Sequence, residues 1–378
     1  MNEDDLKWRS ITASAPAKVI LHGEHSVVYG KLALAASIDL RTKVIFKLRQ
    51  KHEDMRVNLL DFSQRPLDFD LDTLRSLPYA EPSSSSEIDE NLRNRLENVI
   101  CNNVDTEELK HKEGLLALFY ILVAFMQEAN LDLRPLEIIV SSEIPMGAGL
   151  GSSAAFSVSM AAALVQLRNC LQKGQQKRPE IEDRDSICNW AFKSEKIIHG
   201  NPSGLDNSIC TFGGIMSYIT GQPLKPLASN SGSLRVLLIN SCVSRNTKAL
   251  ISHVRANRIN LMPKVAASIL EAMDRVAKEA AETLGKLLNN NNNNKIVEDD
   301  QQLFRKLEVT ITHNFRVSHQ GLVEEKSLKS QKKKNSLKFV YILAKQCRYP
   351  SNLTNLSKFE LREFEIFSIQ NLFGHPVL

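Results

Sequence analysis

A glycine-rich segment near the middle of the chain has the composition of a phosphate-binding loop. Residues 145–154 read Pro-Met-Gly-Ala-Gly-Leu-Gly-Ser-Ser-Ala and lie between a predicted strand and a predicted helix. Glycines at this spacing let the backbone turn tightly with its N–H groups pointing inward, and the helix dipole adds to the attraction for an anion. The hydroxyl of Ser153 is suited to a Mg²⁺ ion held between phosphates. The segment is also compatible with a flexible turn that ends in a serine N-cap, and it is not a Walker A loop, because no Gly-Lys-Ser/Thr follows.

Two carboxylates lie in a second motif, residues 195–207, which reads Glu-Lys-Ile-Ile-His-Gly-Asn-Pro-Ser-Gly-Leu-Asp-Asn. Glu195 is predicted to end a helix, and Asp206 follows a turn of residue types that fix the backbone tightly. A rigidly held carboxylate can orient or deprotonate a hydroxyl group, and Glu195 offers a second carboxylate for Mg²⁺. Each acid alone is more often a solvated surface charge. Their occurrence together with the glycine loop favours a catalytic site.

A third motif near the N-terminus supplies a cation. Residues 15–25 read Ala-Pro-Ala-Lys-Val-Ile-Leu-His-Gly-Glu-His. Lys18 could lower the pKa of a hydroxyl nucleophile or neutralise a phosphate. His22 and His25 do not predict a zinc site, because zinc needs three or four ligands. Polar loop residues that make structural hydrogen bonds are the alternative. Phosphoryl transfer requires mainly positioning and charge neutralisation, so a phosphate cradle, Mg²⁺ ligands, a lysine and an aspartate form a sufficient set.

The elements that must position these motifs follow from the periodicity of apolar residues. Residues 51–105 are polar and predict loops around short elements. Strands are predicted at 18–21, 42–49, 136–142 and 234–240. Helices are predicted at 114–126, 154–171 and 263–288.

Bulk composition indicates a folded protein of two domains. The chain has 378 residues, of which 43% are hydrophobic, and this is enough for a sizeable core. The net charge is +5, and the last 55 residues hold ten basic and five acidic residues, so the rest of the chain is neutral. A neutral body does not predict a nucleic-acid partner.

Cysteine usage and apolar runs predict a cytoplasmic protein without a membrane partner. The six cysteines form no CxxC pair, which favours free thiols in a reducing compartment. The first ten residues are charged and lack the apolar core of a signal peptide. The longest apolar run, 114–126, is too short to span a bilayer and predicts a buried helix.

The motifs resemble those of a known family of small-molecule kinases. PMGAGLGSSA at 145–154 resembles the ATP loop of the galactokinase–homoserine kinase–mevalonate kinase–phosphomevalonate kinase superfamily. Within it, APAKVILHGEHSVVYG at 15–30, EKIIHGNPSGLDN at 195–207 and SRNTKAL at 244–250 are similar to the mevalonate kinases. The resemblance covers about residues 11–288. It implies an α+β fold, and family members are commonly dimers, so we expect a homodimer.

The resemblance also implies an activity and a set of site residues. ATP would phosphorylate the 5-hydroxyl of (R)-mevalonate, feeding isoprenoid and sterol synthesis. Asp206 would be the catalytic acid/base residue with Lys18 as its partner, and Ser153 and Glu195 would hold Mg²⁺. The implied ATP-binding residues are Ser142, Gly147, Ala148, Gly149, Leu150, Gly151, Ser152 and Ser153. The implied mevalonate-binding residues are His25, Arg245 and Thr247.

The C-terminal part departs from the family pattern. We expect an N-terminal kinase domain at 1–228 and a partial ferredoxin-like domain at 229–323, with an asparagine-rich insert at 289–294 predicted to be disordered. Residues 324–378 are predicted to form an atypical, disordered tail without the family's third glycine-rich motif, Thr-Gly-Ala-Gly-Gly-Gly-Gly. The alternatives to an active enzyme are therefore a catalytically impaired, truncated isoform or a nucleotide-binding pseudo-kinase.

Overall fold

The computed structural model describes most of residues 10–227 and three later stretches of the chain. At 173, 233–238, 287–290 and 365–370 it describes only the backbone. His25, Arg245, Thr247 and most of the predicted tail lie outside the described residues. The domain boundaries at 228 and 323 therefore remain predictions. The described ranges are 10–24, 26–50, 52–61, 63, 65–82, 84, 87–105, 111–145, 147–173, 182–200, 202–227, 233–238, 260–290 and 365–370.

The chain divides into two compact units that alternate along the sequence. The first unit contains the residues up to Lys18 together with Leu40–Gly213, and the second contains Val19–Asp39 and the described residues after Gly213. The first two strands therefore contribute residues to both units. The strands of the first unit are β1 (Ser10–His22), β2 (Ala33–Leu48), β3 (Met55–Leu59), β4 (Leu67–Phe69) and β5 (Leu136–Ser142).

Strands of the first unit pair in the order β4-β3-β5-β2, and β1 pairs with β2. Strands β3 and β5 are parallel, whereas β2 and β5 are antiparallel, with a register that runs from Thr42 opposite Ser142 to Leu48 opposite Leu136. Both partners were predicted from alternating or β-branched apolar residues. The end of β5 is placed next to β2 and leads directly into the glycine loop.

Six helices complete the described part of the first unit. Helix α3 (Lys112–Glu128) contains the apolar run predicted at 114–126 and is buried at every position from Leu115 to Met126, because a helix that is apolar on all sides requires burial. The ring of Phe119 in this helix packs edge-to-face on the ring of Phe69 in β4, with the ring centroids 4.5 Å apart. The helices are α1 (Leu71–Arg75), α2 (Glu90–Asn103), α3 (Lys112–Glu128), α4 (Ser152–Lys173), α5 (Asp183–His199) and α6 (Leu205–Phe212).

One long helix dominates the described part of the second unit. Its buried stripe follows helical spacing at Met273, Ala277, Ala280 and Leu284, in agreement with the prediction at 263–288. Strand β2 pairs antiparallel with β6 (Ile215–Tyr218), and β8 (Ser233–Leu238) pairs antiparallel with β9 (Glu365–Gln370). The elements are β6 (Ile215–Tyr218), β7 (Lys225–Pro226), β8 (Ser233–Leu238), α7 (Pro263–Asn290) and β9 (Glu365–Gln370).

The α+β fold class is confirmed, but two local expectations are wrong. The polar region 51–105 contains α2, a helix of 14 residues, whose buried stripe of Leu92, Leu96 and Ile100 is narrow enough to be overlooked in a polar sequence. The helix predicted to end at Glu195 continues for one more turn to His199.

Helix α4 has the length and apolar composition of a membrane span. Among the described helices, only the stretch Ser152–Gln172 meets both criteria, and 83% of its apolar window is buried inside the protein. Burial of this kind is typical of a core helix, and here the helix carries the glycine loop at its N-terminus.

Candidate active site

The glycine loop has the backbone that its sequence predicts. Gly147, Gly149 and Gly151 have φ values of 68°, 73° and 74°, a left-handed region that residues with a Cβ adopt only at a cost. Helix α4 begins immediately afterwards, and the N–H of Ala155 donates to the carbonyl of Gly151 at 2.9 Å. The loop therefore presents backbone N–H groups at a helix N-terminus, which is the arrangement that binds phosphates.

Lys18 lies directly against this loop. Its backbone N–H donates to the carbonyl of Leu150 at 2.9 Å. A Cβ added at Gly151 would lie 2.8 Å from Cγ of Lys18, so the aliphatic part of the lysine packs on the glycine itself. Gly151 is thus required by the close approach of Lys18 as well as by its backbone angle.

An ion pair joins Lys18 to Asp206. The Nζ of Lys18 is 3.0 Å from Oδ1 of Asp206, and the two side chains are 8% and 37% exposed, respectively. Asp206 is the second residue of α6, which follows Gly204 with a φ of 79°. The loop before α6 therefore places the carboxylate of Asp206 next to the buried lysine. The same carboxylate remains accessible to a substrate.

Glu195 provides a buried carboxylate beside this pair. It is 3% exposed, and burial raises its pKa to about 7, with the charge of Asp206 adding to the effect. The hydroxyl of Ser157 donates to Oε1 of Glu195 at 3.4 Å and, together with Ser153 and Lys18, opposes this rise. Burial thus destabilises the ionised form of Glu195, and a bound cation would stabilise it.

Ser153 connects Glu195 to a histidine that the sequence analysis did not single out. The Oγ of Ser153 is 3.0 Å from Nε2 of His199, and the same Nε2 is 3.8 Å from Oε2 of Glu195. The signal for His199 was present in the motif, because residues four apart on a helix share one face.

The donor set here fits Mg²⁺. The Ser153 hydroxyl and the Glu195 carboxylate are hard oxygen ligands, and Mg²⁺ is usually held by one or two such groups together with phosphate oxygens and water. Within the described residues, no group of three or more His, Cys, Asp or Glu side chains could hold a metal ion alone. Phosphate oxygens would therefore complete the coordination.

Ser142 lies at the end of β5, where its polar atoms are engaged. Its Oγ is 2.8 Å from Oγ1 of Thr42 and accepts the N–H of Ile144 at 3.2 Å. Its own N–H donates to Oδ2 of Asp61 at 2.6 Å. Asp61 was not predicted as a site residue, although it comes shortly after β3. A polar residue that follows a buried strand often lies at a functional site.

The described cysteines contribute no bond to this site. Cys101, Cys170, Cys188 and Cys210 are free thiols. Burial raises the pKa of Cys210 well above its usual range. Burial also raises the pKa of Cys170 and Cys188, so these two thiols and that of Cys210 are held in their neutral form.

The fold and the site together define a small-molecule kinase of the GHMP class. The family model described as GHMP kinases N terminal domain matches residues 117–214, a stretch that includes the glycine loop, Glu195 and Asp206. Over 289 residues the chain is 38% identical to mevalonate kinase of Mus musculus, covering 74% of this chain and 71% of the relative. It is also 38% identical over 289 residues to mevalonate kinase of Homo sapiens, covering 73% and 70% of the two chains. The chain therefore belongs to the mevalonate kinase family.

A solved structure has the same fold. The crystal structure of L. major mevalonate kinase in complex with R-mevalonate matches with a TM-score of 0.54 and 18% identity, covering 82% of this chain and 74% of that chain. At this level of identity the likeness supports the fold only.

Proposed function

We propose that this protein transfers the γ-phosphoryl group of ATP to the 5-hydroxyl of (R)-mevalonate. The observation that carries the proposal is the Lys18–Asp206 ion pair of 3.0 Å, packed under the glycine loop. Membership of the mevalonate kinase family supports the choice of substrate. The implied place of the reaction is isoprenoid and sterol synthesis.

In the proposed reaction, the mevalonate oxygen forms a bond to the γ-phosphorus as the bond from that phosphorus to the β–γ bridging oxygen breaks. The proton of the hydroxyl passes to the carboxylate of Asp206, and ADP leaves with the bridging oxygen. Lys18 stabilises negative charge on the attacking oxygen and keeps Asp206 aimed at it. The backbone N–H groups of the glycine loop bind the phosphates.

Ser153 and Glu195 are proposed to hold Mg²⁺, which when bound neutralises charge that develops on the transferred phosphoryl group. Ser142 and residues 147–153 are proposed to contact ATP. His25, Arg245 and Thr247 stay predictions for mevalonate binding. A homodimer and a cytoplasmic location also stay predictions.

The direct test measures ADP release by the purified chain with ATP, Mg²⁺ and (R)-mevalonate, with the product identified by mass spectrometry. The Asp206→Asn variant removes the proton acceptor and is expected to lower kcat by about 10²-fold or more. The wild-type chain is expected to require mevalonate for ADP release. A folded wild-type chain that binds ATP without transferring phosphate would instead support the pseudo-kinase alternative.

A further inference from the structure

A buried carboxylate on α7 accepts a hydrogen bond from the backbone just ahead of β2. The Oδ1 of Asp274 accepts the N–H of Leu32 at 2.8 Å, and Asp274 is only 5% exposed. Its other oxygen, Oδ2, is 2.7 Å from Nζ of Lys278. Burial acts to raise the pKa of Asp274, but the hydrogen bonds from Leu32 and Lys278 outweigh it and lower the pKa. The carboxylate is thus held ionised at neutral pH.

Gly23 also lies against the backbone of Leu32. A Cβ added at Gly23 would lie 2.2 Å from the carbonyl oxygen of Leu32 and 2.8 Å from Cα of Ala33. The Gly23 backbone therefore packs directly on the peptide unit that joins Leu32 to Ala33, and its φ of 83° adds a second requirement for glycine. Leu32 thus contacts Gly23 through its carbonyl group and Asp274 through its N–H.

Gly23 in turn opens a tight turn that ends next to Leu32. Its carbonyl accepts the backbone N–H of Ser26 at 3.1 Å and of Val27 at 2.9 Å. The carbonyl of Ser26 accepts the N–H of Lys31 at 3.4 Å. The turn at 23–31 is therefore closed by its own hydrogen bonds, and Leu32, the residue that follows it, donates its N–H to Asp274 of α7.

We propose that Asp274 is a positioning residue for the acceptor substrate, acting through Leu32 on the turn at 23–31. The inference rests on the proposed function, because that turn spans the position predicted to contact mevalonate.

A neighbouring ion pair provides a matched control. Glu271, one turn earlier on α7, pairs with Lys31 of the same turn through Oε2 and Nζ at 3.0 Å, with side chains 49% and 26% exposed. Exposed pairs of this kind contribute little to stability. A Glu271→Gln variant changes the charge on the same helix and leaves the hydrogen bond to Leu32 intact.

The experiment compares Asp274→Ala, Asp274→Asn and Glu271→Gln with the wild type, with thermal unfolding used to confirm that each is folded. In Asp274→Ala the half-buried N–H of Leu32 loses its acceptor, and KM for mevalonate is expected to rise about tenfold while KM for ATP changes by less than about twofold. Asp274→Asn keeps an acceptor oxygen and is expected to restore most of the affinity. Glu271→Gln is expected to behave as the wild type.

Hydrogen–deuterium exchange of the substrate-free protein gives a readout that does not depend on turnover. Exchange across residues 23–32 is expected to be faster in Asp274→Ala than in Asp274→Asn. Equal increases of both KM values in Asp274→Ala, or an Asn variant as impaired as the Ala variant, would overturn the positioning role. A wild-type chain without mevalonate-dependent turnover would overturn the proposed function, which is a distinct result.

Discussion

The Nζ of Lys18 lies 3.0 Å from Oδ1 of Asp206 while the stem of the same lysine packs on the Cα of Gly151. The backbone N–H of Lys18 also donates to the carbonyl of Leu150. The phosphate loop and the pair proposed to activate the acceptor hydroxyl therefore share one side chain. A shift of the loop must move the lysine.

This contact predicts different outcomes for alanine at two glycines of the loop. Gly147 and Gly151 have φ values of 68° and 74°, so alanine at either position costs about 1–2 kcal/mol in backbone strain. At Gly147 the new Cβ would meet no atom of the described chain within 4 Å, whereas at Gly151 it would lie 2.8 Å from Cγ of Lys18. Both variants are expected to raise KM for ATP. The kcat of Gly151→Ala is expected to be about tenfold lower than the kcat of Gly147→Ala.

Steady-state kinetics of the two variants check this prediction, with Gly147→Ala as the control for strain. A double-mutant cycle with Lys18→Met separates the contact from general damage to the loop, because the effect of Gly151→Ala on kcat should largely vanish once the lysine is absent. Equal kcat values in the two glycine variants would contradict the role assigned to this contact.

The raised pKa of Glu195 predicts a pH-dependent stability of the ligand-free protein. Its pKa is raised from the ordinary 4.5 to about 7 by burial, so between these values the folded state binds more protons than the unfolded chain. The free energy of unfolding therefore falls as pH rises through this window, by at most about 3 kcal/mol from this residue. Denaturant unfolding at pH 5 and pH 8, without ATP or Mg²⁺, measures the difference.

Glu195→Gln is the matched variant for this measurement. Glutamine has nearly the same shape and cannot ionise, so its free energy of unfolding should lose this component of the pH dependence. A stability loss between pH 5 and pH 8 as large as that of the wild type would show that Glu195 is not its source.

Local patterns in the sequence predicted the parts of the fold that depend on local chemistry. The run at 136–142 and the apolar helix at 114–126 were found because burial dictates their composition. The glycine loop was found because its backbone angles require glycine. Glu195 and Asp206 were identified because the rigid turn between them carries its own signature.

Contacts between distant segments could not be predicted in this way. The approach of Lys18 to Gly151 depends on how β1 packs beside the loop, and no spacing along the chain records that packing. The contact between Asp274 and Leu32 likewise joins a helix to a residue just ahead of a strand that is far away in the sequence. Helix α2 was missed because three buried apolar residues in a polar stretch carry little signal, although Asp89 marks its start.

Replacing Asp89, the residue that caps α2, is expected to lower the stability of the fold without lowering substrate affinity. Its Oδ1 accepts the N–H groups of Asn91 and Leu92 at 2.9 and 3.2 Å, and its Oδ2 accepts the N–H of Ala80 at 2.8 Å. Asp89→Ala is expected to lower the free energy of unfolding by about 1–2 kcal/mol. Asp89→Asn retains the capping oxygen and should lose less. Urea unfolding measures both variants, and a KM shift of either substrate would contradict a purely structural role.

The contact between His199 and Ser153 predicts a change in Mg²⁺ dependence. A serine hydroxyl that gives a lone pair to a metal ion must donate its proton elsewhere, and Nε2 of His199, 3.0 Å from Oγ of Ser153, is placed to accept it. His199→Ala is therefore expected to raise the Mg²⁺ concentration needed for half-maximal activity by about tenfold. Calorimetric titration with ADP, with and without Mg²⁺, should show weaker binding only when the metal is present.

Ser157→Ala is the control, since it removes a Glu195 contact and leaves Ser153 unchanged. Equal weakening of ADP binding with and without Mg²⁺ would assign His199 to the nucleotide rather than to the metal ligand.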